Sequence, residues 1–148
     1  MELKIIQGNV SEEILELYVK SFRMKPWNEK WTLGMAGMRI NDYLQNPMAL
    51  GYEARQDGNI VGFLMGYITS YLGVKEFHIQ DFVISVDFSR MGLGTQMLSL
   101  VQQDVKRRGV ERINLLTLRD PRTEGFYNKN GYETDSNLVF MNKKNIIK

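Results

Sequence analysis

The sequence predicts an α/β domain of the α+β type, with a mixed, mainly antiparallel sheet of about seven strands flanked by about four helices. Three observations carry that expectation. Apolar runs of strand length follow one another through the middle of the chain, from "ALGYEAR" to "DFVISV", with turn-forming residues between them. Apolar residues at helical spacing lie before and after that block. A length of 148 residues with 43% hydrophobic content suits a single domain, 1–148, around one core.

The elements follow in order. "ELKIIQ" reads as a short strand, and Ser11 caps a helix through "EEILELYVKSF" that buries Ile14, Leu15, Tyr18 and Phe22. "KPWNEKW" interrupts before Thr32, which caps a second helix burying Leu33, Ala36, Ile40 and Tyr43 and weakened by Gly34 and Gly37. After Pro47, "ALGYEAR" and "IVGFLMGYITSYL" form a hairpin through the tight-turn pair Asp57-Gly58, and "VKEFHIQDFVISV" supplies another long strand. Leu93, Met97, Leu100, Val101 and Val105 fall at helical spacing, with Lys106 to Arg108 and Gly109 suited to the helix end. "ERINLLTL" is a buried strand. "DPRTEGFYNKNG" is a short helix with Asp120 as cap, Pro121 at its first position and Gly131 as terminator. "YET" and "LVFMN" close the chain as two strands across the turn-prone "DSN".

Composition removes several chemistries. With no cysteine there is no thiolate nucleophile or cysteine zinc site, and a single histidine cannot build a histidine-rich metal centre, so no metal is expected. Nineteen basic and seventeen acidic residues, dispersed along the chain, give a net charge of +2 and no nucleic-acid footprint. No segment approaches the roughly 20 apolar residues of a membrane span, and "MELKIIQGNVSEEI" has no signal-peptide core, so no membrane association and a cytoplasmic location are expected.

"SRMGLGTQ", Ser89 to Gln96, stands at a strand-to-helix junction. Its glycines let the backbone approach a ligand, and the amides at the helix start favour an anion such as a diphosphate. No Lys-Ser or Lys-Thr pair follows the second glycine, which excludes a Walker A loop. Met97 occupies the place of the third glycine of a dinucleotide fingerprint.

Together with two other stretches and the order of elements, this loop resembles the GNAT superfamily of acetyl-CoA-dependent N-acyltransferases over nearly the whole chain. The family signature, Gln or Arg, two residues, Gly, one residue, Gly or Ala, matches Ser89 to Gly94 except at Ser89, beside which Arg90 offers a cation. "GFYNKNGY", Gly125 to Tyr132, is similar to the family's Phe-Tyr and Gly-aromatic pattern. "FHIQDFVIS" is similar to the strand along which the family lays the thioester. The resemblance implies acetyl-CoA as co-substrate, held by the backbone of Ser89, Arg90, Met91, Gly92, Leu93, Gly94 and Thr95. It also implies that amides around Val83, Ile84 and Ser85 would stabilise the thioester oxygen, which requires the strand to splay from the next near "NLLTL". Asp120 stands where many members place a coenzyme-contacting asparagine, and a helix cap explains it equally well.

Transfer from a thioester to an amine needs a neutral amine and a protonated leaving thiol. Alkyl amines have a pKa near ~10, so a base or a water chain should remove a proton; as bases the residues offer Asp81 and His78. Strand alternation puts these two on opposite faces unless a bulge intervenes. The resemblance makes Tyr127 the acid that protonates a thiolate of pKa near ~8.5. Without cysteine or a "GxSxG" elbow, direct attack is expected rather than a covalent acyl-enzyme. Trp27 and Trp31 could wall an acceptor site with Glu29 attracting a cationic amine, or the tryptophans could plug the space between two helices. The expected acceptor is a primary amine of a small molecule or peptide, and a homodimer is compatible with the resemblance. The alternative is a non-catalytic acyl-CoA sensor with the same fold.

Overall fold

The computed structural model describes residues 1–88 and 91–147. Strand β1 (Glu2–Ile5) is followed by helices α1 (Glu12–Phe22) and α2 (Leu33–Leu44), then by strands β2 (Ala49–Gln56), β3 (Asn59–Tyr71) and β4 (Val74–Ile84). A short 3₁₀ turn (Val86–Phe88), helix α3 (Leu93–Arg107), strand β5 (Val110–Leu115) and helix α4 (Glu124–Lys129) complete the order. The chain divides into two compact units, Met1–Leu116 and Thr117–Lys148.

Local chemistry accounts for the helices and turns of the first unit. Ser11 Oγ accepts from the Ile14 amide at 3.4 Å and Thr32 Oγ1 from the Met35 amide at 3.1 Å, each satisfying a donor that the first helical turn leaves without an intrahelical partner. Asp57 and Gly58 both take left-handed conformations, φ 51° and 82°, the pairing that matches the twist of a two-residue hairpin. Leu72 and Gly73 repeat it between β3 and β4, at φ 52° and 79°.

The five strands lie in sequence order, antiparallel except for the β4–β5 pair, which α3 joins as a crossover. On one face α1 and α2 bury Ile14, Tyr18, Phe22, Ala36 and Ile40 against Phe63, Met65 and Val83. Leu33, expected in that core, lies in the first turn of α2 and stays exposed. On the other face α3 sets Met97 against Gly62, and the Tyr52 hydroxyl donates to Asp104 at 2.7 Å. Burying each such large side chain stabilises by roughly 1.5–3 kcal/mol, so both sheet faces hold the strands rigidly.

The second unit differs from expectation in two ways. Its helix begins after Thr123, three residues later than Asp120 predicts. Asp120 instead accepts from the Arg122 amide at 2.8 Å and pairs with the Arg122 guanidinium, which turns the chain before the helix. Gly131 follows the helix end at φ 89°, as a terminator should. "YET" and "LVFMN" form no strands, so the described residues form a sheet of five strands rather than about seven. Strand propensity measures fit to a half-buried pleated surface, and Leu138 to Met141 remain exposed with no ladder partner among the described residues. No helix among the described residues is long and apolar enough to cross a membrane.

Candidate active site

A single irregularity in β4 organises the site. Met65 of β3 pairs with Asp81, but the next residue, Gly66, pairs with Ile79, so Gln80 is an extra residue bulged out of register. Residues directly opposite in an antiparallel pair share a face, and His78 opposes Tyr67 while Asp81 opposes Met65. His78 and Asp81 therefore both face the side covered by α1 and α2.

The two have different partners there. The carboxylate of Asp81 accepts from Tyr18 Oη at 2.6 Å, from Arg39 Nε at 2.9 Å and from Arg39 Nη2 at 3.1 Å, with only 10% of its side chain exposed. Burial first, and then the adjacent carboxylate, push the Tyr18 hydroxyl far above its ordinary value, so it stays a donor. Its hydrogen bond to Asp81 raises Arg39 further, leaving a fixed guanidinium. His78 is half-buried: Nδ1 lies 2.7 Å from Asn114 Oδ1 on β5, and the ring sits 5.3 Å from that of Tyr67. Tyr67 in turn is 6.4 Å from Tyr43, whose hydroxyl is buried without a hydrogen-bond partner among the described residues. Burial, then the neighbouring Tyr67 and Asp81, push that phenol well above its usual range.

Next to this cluster the sheet opens. The β4–β5 ladder ends at Ile79↔Leu115, while β4 continues to Ile84. The expected splay near "NLLTL" is therefore present. Its amides are distributed differently from expectation, because the Ser85 amide donates to Val61 O at 2.8 Å, and antiparallel alternation commits the Val83 amide to β3 as well. Of the three, alternation aims the Ile84 amide toward the side that β5 leaves.

Helix α3 starts beyond that opening. Met91 is exposed, Gly92 is the N-cap at φ 72°, and no side chain among the described residues caps the first turn; by helix geometry the amides of Leu93, Gly94 and Thr95 have no intrahelical partner. Ser89 and Arg90 lie outside the described residues.

Trp27 and Trp31 pack against the α1–α2 core, Trp27 at 5.2 Å from Phe22 and Trp31 at 5.1 Å from Tyr18. Trp31 Nε1 donates to Glu29 at 3.0 Å, so the three expected acceptor residues form one partly exposed cluster. In the second unit, Tyr127 is half-buried on α4, its ring 5.1 Å from Phe126 and 5.5 Å from Tyr132. Arg39, Tyr18 and Asn114 were not legible as site residues. Arg39 and Asn114 sit among other polar residues of their elements, Asn41 and Asp42 in α2 and Glu111 and Arg112 in β5, so the pattern did not single them out.

The sequence profile of the acetyltransferase (GNAT) family matches residues 11–132. An acetyltransferase of Yersinia pestis is 25% identical over 99% of this chain and 97% of its own. Two solved structures share the fold. A ribosomal-protein-alanine N-acetyltransferase from Brucella melitensis has a TM-score of 0.75 and 16% identity, covering 96% of this chain and 98% of its own. An aminoglycoside 6'-N-acetyltransferase from Acinetobacter haemolyticus has a TM-score of 0.75 and 15% identity, covering 97% and 99%. The match spans both the bulged strand and the glycine turn described above, and the chain belongs to the acetyltransferase (GNAT) family, the acetyl-CoA-dependent N-acetyltransferases.

Proposed function

We propose that the protein moves an acetyl group from acetyl-CoA directly to a primary amine of a small molecule or peptide, with no covalent acyl-enzyme. The observation that carries this reading is the opening of β4 away from β5 beside an uncapped helix start. A strand edge and a cluster of orphan amides lie where a thioester and a diphosphate need donors.

The residues present fit that co-substrate. The space around a Cβ built on Gly92 is clear, so its backbone can be approached closely, and the amides of Leu93, Gly94 and Thr95 are available to an anion. By the family motif Arg90 and Met91 belong to the same loop, and Ser89 stands at its first position, where the motif has Gln or Arg. Val83 and Ile84 line the strand, Ile84 by its amide and Val83 by its position; Asp120 stands at a family contact position.

When bound, acetyl-CoA supplies an activated carbonyl carbon. The amine nitrogen attacks it, an N–C bond forms and the C–S bond breaks. The amine's proton goes to a base on the α1–α2 face, where His78 and Asp81 converge, and the departing sulfur takes a proton from Tyr127. Two solved structures with this fold are named as an aminoglycoside 6'-N-acetyltransferase and a ribosomal-protein-alanine N-acetyltransferase, which supports testing both small amines and peptide amines.

The test is release of free CoA thiol across a panel of aminoglycosides, polyamines and peptides with free N-termini. Turnover with one amine is expected, and Tyr127→Phe should lower kcat with little change in coenzyme affinity. Tight coenzyme binding without turnover on any amine would replace the enzyme reading with that of an acyl-CoA sensor.

A further inference from the structure

We infer that His78 Nε2 is the group that accepts the amine's proton, and that Asn114 is a positioning residue that holds the imidazole in the tautomer this requires. The inference rests on the acetyl-transfer reading and assigns one role within it.

The argument begins with hydrogen-bond chemistry. A carboxamide oxygen only accepts, so the 2.7 Å contact from Asn114 Oδ1 obliges His78 Nδ1 to donate. In the neutral ring the lone pair is then on Nε2, which no described residue hydrogen-bonds. Free imidazoles carry their proton on either nitrogen, whereas this one is set by its cross-strand partner, since His78 and Asn114 are directly paired in the β4–β5 register.

Position supports the same role. His78 lies one register step before the last ladder pair, so about two residues of strand, some ~7 Å, separate it from the start of the opening along Gln80 to Ile84. The bulge at Gln80 turns it to the face on which Asp81, Tyr67 and Tyr43 also lie. Asp81 is the competing base. Its oxygens already accept three hydrogen bonds from Tyr18 and Arg39, and protonating it would neutralise the partner of a bidentate guanidinium. Those contacts occupy the Asp81 carboxylate, whereas His78 Nε2 has no hydrogen-bond partner among the described residues.

The ionisable surroundings of His78 are defined. Tyr67 of β3 faces it, with Tyr43 of α2 behind; Asp81 on its own strand is paired with Arg39 of α2, and Glu76 with Arg112 of β5. Each carboxylate near the ring thus has a guanidinium partner.

His78 is the chain's one histidine, so its ring signals are unambiguous in nitrogen-detected NMR. The neutral protein should show the Nδ1–H tautomer. Asn114→Ala should release it to a mixture and lower kcat. Asn114→Asp should keep it, retain turnover at high pH, and move the acid limb of kcat/KM upward by about one pH unit, because a carboxylate beside the ring favours its charged form. His78→Gln should lower kcat by about 100-fold, the ordinary contribution of a positioned base, with acetyl-CoA affinity within about twofold.

An Nε2–H tautomer, full turnover in His78→Gln, or loss of the acid limb in Asp81→Asn instead would each overturn the assignment while leaving acetyl transfer standing. An Nδ1–H tautomer with no turnover on any amine would sink the parent reading and the base role together.

Discussion

A side chain at residue 66 would collide with the main-chain carbonyl of His78. A Cβ built on Gly66 meets that oxygen and also comes within 2.6 Å of Phe77 Cζ, so the bulge in β4 exists because β3 offers it a residue without a side chain. Gly66→Ala must therefore shift backbone, and we expect a loss of about 1–3 kcal/mol in denaturant unfolding together with a fall in activity as His78 moves. Gly62→Ala is the control. Its clashes are with Met97 Sδ and Ile84 Cδ1, the movable ends of side chains, so its cost should be smaller. Equal losses for the two variants would show that the bulge does not depend on Gly66.

Asp81, Arg39 and Tyr18 bind α1 and α2 to β4 through charge-assisted hydrogen bonds. Asp81→Ala leaves a half-buried guanidinium facing a phenol, and we expect a loss of roughly 1–3 kcal/mol, below the full cost of a buried pair because Arg39 is 37% exposed. Tyr18→Phe removes the donor to Asp81 and the acceptor for Arg39 Nε, and should cost about 1–3 kcal/mol. A double-mutant cycle between positions 39 and 81 measured by urea unfolding checks this; a coupling near zero would mean that water replaces the pair without loss.

The sheet's other face carries a pH-sensitive contact. Burial alone would raise the Asp104 carboxyl, but hydrogen bonds from Tyr52 at 2.7 Å and Arg108 at 2.8 Å hold it below the usual carboxylate range. A depressed folded-state value means its contribution is present above the unfolded value near ~3.9 and lost as pH falls through the folded value. Stability should therefore drop on acidification below about pH 4, and Asp104→Asn should flatten that part of the curve. An unchanged acid slope in the variant would assign the loss to other carboxylates.

Local signals were legible in the sequence and tertiary ones were not. Ser11, Thr32 and the Asp57-Gly58 turn act through neighbours within a few residues, so their chemistry could be read directly. The bulge at Gln80 could not, because what permits it is Gly66 on the opposite strand. Sequence alternation left His78 and Asp81 on opposite faces unless such a bulge occurred, and the structure supplies it. Arg39 stands 42 residues from Asp81 and Asn114 stands 36 from His78, separations at which no periodicity reports a partner. Asp120 looked like a cap because Pro121 follows it, but its carboxylate is taken by Arg122 before the helix begins. The closing "LVFMN" shows the reverse error: strand-forming composition without a ladder to join.

The start of α3 offers a separation of backbone from side-chain effects. Gly92 is at φ 72°, and apart from its neighbours along the chain no described atom lies within 4 Å of a Cβ built there, so among the described residues a small side chain acts through conformation rather than contact. An L-residue in that region is strained by about 1–2 kcal/mol, and the chain can relieve the strain by rotating the amides that follow. If those amides hold a diphosphate, Gly92→Ala should weaken acetyl-CoA binding by up to about tenfold, the equivalent of 1.4 kcal/mol, and Gly92→Val by more. Gly92→Asn should lose least, because asparagine tolerates the left-handed region and is itself a favoured N-cap. Calorimetric titration with acetyl-CoA gives the order directly. The same affinity in all three variants would place the coenzyme's anionic groups away from this helix start.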